Sequence, residues 1–113
     1  EVAINKEMDR EVKADLYFNL GILYTKVNNL GEAEYNFMNA LDENPEDIEA
    51  VMGMAQVFET AEKWRKAEKF YRELIAVDPD NPVHYRGMSR VLLQQGEPDE
   101  SLRYLEKAKR LGG

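Results

Sequence analysis

"YFNLGILY" (17–24) sets large apolar, small and polar residues in an order that the chain uses twice more. At an offset of thirty-four residues it lies over "VMGMAQVF" (51–58), and at twice that offset over "YRGMSRVL" (85–92). A second block keeps the same phase: "EAEYNFMNAL" (32–41), "KAEKFYRELI" (66–75) and "ESLRYLEKAK" (100–109). The acidic, proline-bearing stretches "DENPED" (42–47) and "DPDNPV" (78–83) sit between these blocks, with Pro45 and Pro79 in register. A period of this length is the mark of a repeated supersecondary unit.

Each unit reads as two helices. Leu16, Leu20, Leu23, Tyr24 and Val27 recur at three- and four-residue spacing, an amphipathic helical stripe. "NNLGEAE" (28–34) breaks it and opens a second helix that runs to about Asp42. In "QGEPDES" (95–101), Gly96 suits a helix end and Pro98 the first position of the next helix. Asp99 and Glu100 then fall in the first turn, where acids complement the helix dipole. The prolines between units interrupt one helix, and the neighbouring acids and Asn start another.

On these residues the chain resembles the tetratricopeptide repeat family, whose pattern is W-x₂-L-G-x₂-Y, then A-x₃-F, then P. The first repeat has Tyr17, Leu20, Gly21 and Tyr24, then Ala33, Phe37, Ala40 and Pro45; only the opening Trp is replaced. The second is looser, with Val51, Met54, Ala55, Phe58, Ala67, Tyr71, Leu74 and Pro79. The third has Tyr85, Met88, Ser89, Leu92, Ser101, Leu105 and Ala108. The resemblance implies an all-α fold, a right-handed superhelical array of three antiparallel helix-turn-helix hairpins with six main helices. Its expected divisions are an N-terminal extension at 1–13 and repeats at 14–47, 48–81 and 82–113. Met8 and Val12 extend the first helix backwards, with Asn5 as its expected cap. Gly21, Ala55 and Ser89, facing Ala33, Ala67 and Ser101, let paired helices approach closely.

The bulk numbers agree with a folded domain: 113 residues, 43% hydrophobic and 33% charged. No apolar run approaches the ~20 residues of a membrane helix, so no membrane insertion is expected; a cytoplasmic location is. The chain starts at Glu1 without Met, and is expected to be a piece of something longer. There is no Cys and a single His, so neither disulfide nor metal site is expected. The net charge of −7 argues against nucleic-acid binding. That charge is uneven: residues 14–47 carry −6, 48–81 carry −2 and 82–113 carry +2.

No catalytic constellation is apparent, and no cofactor is expected. Acids in "EKWRKAEKFYRE" (62–73) stand at i,i+3 and i,i+4 from bases, as on a solvated helix face. Ser89 and His84 are badly spaced for a nucleophile and its base, and Ser89 reads as a small packing residue. Trp64 opens a second helix where an apolar anchor is wanted.

The resemblance further implies that the first helices of the repeats line a concave groove. Its expected lining is Asp15, Phe18, Asn19, Ile22 and Lys26, then Glu49, Met52 and Gln56, then Arg86, Arg90 and Gln94. Phe18 and Ile22 make an apolar patch, and Arg86 with Arg90 a cationic pair suited to a carboxylate. The expected ligand is a protein or peptide with apolar and acidic segments, bound by a non-catalytic interaction module. Family members that hold chaperone C-termini use a Lys, Asn and Arg clamp; its positions here are Phe18, Ile22, Gly53, Val83 and Gly87, and every clamp residue is missing. Two alternatives stand beside this reading. One is self-association through the last repeat, whose outer face has no capping helix in this sequence; the other is substrate recruitment for an enzyme in a longer chain. Gly53 and Gly87 share a mid-helix column, where Gly costs roughly 1 kcal/mol against Ala. Either a neighbouring helix or a bound peptide backbone needs that room.

Overall fold

The computed structural model describes residues 9–113. It contains α1 (Arg10–Lys26), α2 (Leu30–Glu43), α3 (Ile48–Thr60), α4 (Trp64–Val77), α5 (Pro82–Gln94) and α6 (Pro98–Arg110). No strand occurs among the described residues. α1 starts at Arg10 because the Asp9 carboxylate accepts the Glu11 backbone N–H at 3.3 Å. The expectation of Asn5 as a cap lies outside the described residues, as does Met8.

The breaks obey one rule. Asn28, Glu62 and Gly96, each thirty-four apart, adopt φ of 60°, 60° and 78°. The next backbone N–H in each case reaches back five residues: Asn29 to Tyr24 at 2.8 Å, Lys63 to Phe58 at 2.8 Å, and Glu97 to Leu92 at 3.0 Å. These are Schellman motifs, in which a left-handed residue closes the helix and satisfies its last carbonyls. Helix starts are handled by side chains where the sequence supplies them. Asn29 accepts from Glu32, Asp47 from Glu49 and Ala50, and Asn81 from Val83 with Pro82 behind it. No side chain caps α4 or α6; at α6, Pro98, Asp99 and Glu100 occupy the first turn instead.

The chain forms two compact units, residues 1–57 and 58–113, with the boundary inside α3 between Val57 and Phe58. In the first unit the fully buried Phe37 lies between two glycines. A Cβ at Gly21 of α1 or at Gly53 of α3 would come within 2.6 Å of its ring. Phe18 packs on the same ring, centroids 5.8 Å apart and tilted by 60°. Ala14, Ala33, Ala40, Ala50 and Met54 close the core around it. In the second unit Leu74, Met88, Val91 and Leu92 form the core, and Tyr71 of α4 fills the notch at Gly87 of α5. Phe58 stacks on Phe70 at 5.6 Å. Both mid-helix glycines are therefore occupied by an aromatic ring of a neighbouring helix, which is the packing explanation of their shared column.

Candidate functional site

In the first unit α1 exposes Asp15, Asn19 and Lys26, and holds Phe18 and Ile22 half-buried. α3 exposes Glu49 and Gln56, with Met52 half-buried. The residual exposure of Phe18 is that of a ring already packed on Phe37.

In the second unit α5 exposes Arg90 and Gln94 and holds Arg86 half-buried. The two arginines differ. Arg90 donates from Nε to Glu59 Oε2 at 2.7 Å and from Nη2 to Glu59 Oε1 at 3.1 Å, a bidentate fork. Tyr71 donates its hydroxyl to the same carboxylate at 2.6 Å and accepts from Arg90 Nη2 at 3.3 Å. Burial works against the Glu59 charge, but the Arg90 and Tyr71 hydrogen bonds outweigh it and hold its carboxyl below the usual range. Burial and the bond to Glu59 push the Tyr71 phenol up, so it stays a donor. Arg90 Nη1 makes no bond among the described residues, on a side chain that is 55% exposed. Arg86 forms no ion pair there; its Nη1 occupies the space that a side chain at Gly113 would take.

Glu59 and Tyr71 were not foreseen from the sequence. The available signal was a hydroxyl in a column that Phe37 fills in the preceding unit, since a buried phenol needs a partner.

The remaining polar residues serve the fold. His84 is fully buried and its Nε2 lies 2.9 Å from Asp78 Oδ2, while Asn81 donates to the same oxygen at 3.2 Å. The structure does not bring His84 and Ser89 together. Ser89 instead meets Ser101: the Ser101 hydroxyl donates to the Ser89 carbonyl at 2.7 Å, and the two Oγ atoms are 2.8 Å apart. Trp64 is half-buried at the start of α4. Among the described residues no group of three His, Cys, Asp or Glu is placed to hold a metal ion, and no helix is long and apolar enough to cross a membrane.

A family model described as a tetratricopeptide repeat matches residues 24–88. Anaphase-promoting complex subunit 3 of Schizosaccharomyces pombe is 24% identical over 93 residues, 82% of this chain but 14% of the relative's length. Among solved structures, the type III secretion translocator chaperone SycD of Yersinia enterocolitica superposes with a TM-score of 0.84 at 19% identity, covering 95% of this chain and 80% of that one. YrrB, described as carrying an unusual peptide-binding site, gives 0.74 at 24% identity over 84% of this chain and 49% of its own.

Proposed function

Because the chain belongs to the tetratricopeptide repeat family, we propose that it is a non-catalytic protein–protein interaction module that receives an acidic or carboxylate-ending segment of a partner at Arg86 and Arg90 of α5. The observation that carries this reading is the state of the two arginines. Glu59 fixes the Arg90 guanidinium without consuming Nη1, and Arg86, one turn earlier, has no anionic partner among the described residues. A cation held in place by a neighbour loses little freedom when it binds, which favours recognition. Within the first unit, Phe18 and Ile22, with Asp15, Asn19, Lys26, Glu49, Met52 and Gln56, would offer a separate apolar and polar contact surface. Gln94 would add a neutral donor beyond Arg90. The solved protein described as having a peptide-binding site, and the chaperone, support an interaction role as relatives in fold.

The test is a peptide-display selection on the wild type and, in parallel, on Arg86→Glu. Arg86 is the better single substitution, because Arg90→Glu would also set a second carboxylate beside Glu59. Acidic peptides should enrich on the wild type, and a distinct set of them should be lost on Arg86→Glu while peptides held by other surfaces persist. Identical selections from the two proteins would refute the α5 site.

A further inference from the structure

The second unit carries another basic surface, away from α5 and opposite in sign to the chain as a whole. Where the α3–α4 turn adjoins the α5–α6 turn, a cleft of about 470 Å³ is lined by Lys63, Trp64, Arg65, Lys66, Gln95 and Glu97. It continues along α4 into a second hollow of about 570 Å³ that shares Arg65 and Gln95 and adds Lys69. Lys63, Arg65, Lys66 and Lys69 form no ion pair within 4.0 Å among the described residues. One cation of the lining is already answered: Arg72 donates to Glu68 at 2.7 Å, and Gln95 donates to the other Glu68 oxygen at 2.8 Å. The Lys66 ammonium itself lies over the Phe58 ring, 5.4 Å from its centroid, so its charge is partly engaged by that ring. Arg65 acts on the neighbouring Glu68, but the bases of the lining still outnumber Glu68, Glu73 and Glu97, so an arriving carboxylate meets a net positive surface.

We infer that this α4 cleft is a second docking site, for an acidic peptide segment that carries one bulky apolar side chain. Spaced carboxylates on the peptide would meet Lys63, Arg65 and Lys69, and the apolar side chain would lie on the accessible part of Trp64. A nucleic acid fits less well, because Glu73 and Glu97 interrupt the lining and would face its continuous run of phosphates. The site goes beyond the α5 reading and does not depend on it.

Trp64 is the only tryptophan in the chain, so the cleft contains its own reporter. The probe is a synthetic twelve-residue peptide of alternating Glu and Ala with a central Phe, titrated while Trp64 emission is followed. The wild type should give a saturable change. The exposed double variant Lys63→Glu, Arg65→Glu should bind at least tenfold more weakly. Lys107→Glu, Lys109→Glu on α6 makes the same change of net charge elsewhere and should bind like the wild type, as should Arg86→Glu. Circular dichroism on each variant confirms that the helices persist. The inference is overturned by no saturable signal on the wild type, by equal weakening in the α6 variant, or by tighter binding of a dT oligonucleotide of matched charge. Loss on Arg86→Glu would also overturn it, by placing the peptide on α5.

Discussion

At the scale of single residues, the fold depends on rings that enter glycine notches. Alanine normally stabilises a mid-helix glycine position by about 1 kcal/mol. At Gly53 that sign should invert: the new Cβ would lie 2.6 Å from a Phe37 ring that Gly21 confines on its other side. Gly53→Ala is expected to lose about 1–3 kcal/mol, the usual cost of overpacking, as read from urea unfolding. A gain would show that Phe37 has room to move. The serine pair makes a second prediction at this scale. Ser101→Ala leaves the buried Ser89 hydroxyl without its partner and should cost about 1–3 kcal/mol. Adding Ser89→Ala should recover part of that loss, because the unsatisfied hydroxyl goes too; the alanine pair Ala55 and Ala67 occupies the same columns one repeat earlier. A double-mutant cycle measures the recovery, and strict additivity would contradict it.

At the scale of elements, the three Schellman turns are chemically unequal. Gly96 occupies the left-handed region freely, Asn28 tolerates it, and Glu62 does not favour it. Glu62→Gly should therefore be neutral or stabilising by up to ~1 kcal/mol, and Gly96→Ala destabilising by ~1 kcal/mol. Thermal unfolding is the check: Gly96→Ala should melt below the wild type, and Glu62→Gly should not. The Glu59–Tyr71–Arg90 network ties α3, α4 and α5 within the second unit and makes stability depend on pH. Its carboxyl is held below the ordinary value, so its contribution is fully present above a carboxylate pKa of about 4 and is lost as pH falls through the lower folded value. The stability gap between wild type and Arg90→Gln should thus narrow on acidification from neutral pH; a constant gap would mean that the fork contributes nothing. Helices, turns and the glycine columns were legible in the sequence because period and small-residue register encode backbone geometry directly. The fork was not: Glu59 and Arg90 stand thirty-one residues apart, off the repeat period, and only the packing of α3, α4 and α5 reveals that they meet.

At the scale of the molecule, charge follows the two units. Residues 1–57 carry twelve acids and four bases, and residues 58–113 carry ten acids and eleven bases. The proposed acidic partners would be directed to the second unit by this charge, and their binding should weaken as salt rises. The lining that the family resemblance implied follows repeat columns, and columns do not distinguish an arginine that is neutralised from one that is not. That distinction now separates Arg90 from Arg86, and the proposed recognition rests on Arg86. The most direct measurement is amide chemical-shift mapping of the nitrogen-15-labelled chain as a display-selected acidic peptide is titrated in. Saturable shifts centred on Arg86, Arg90 and Gln94, abolished by Arg86→Glu, are the result expected of a partner held at α5. Shifts confined to other helices, or unchanged in the Arg86→Glu protein, would contradict it.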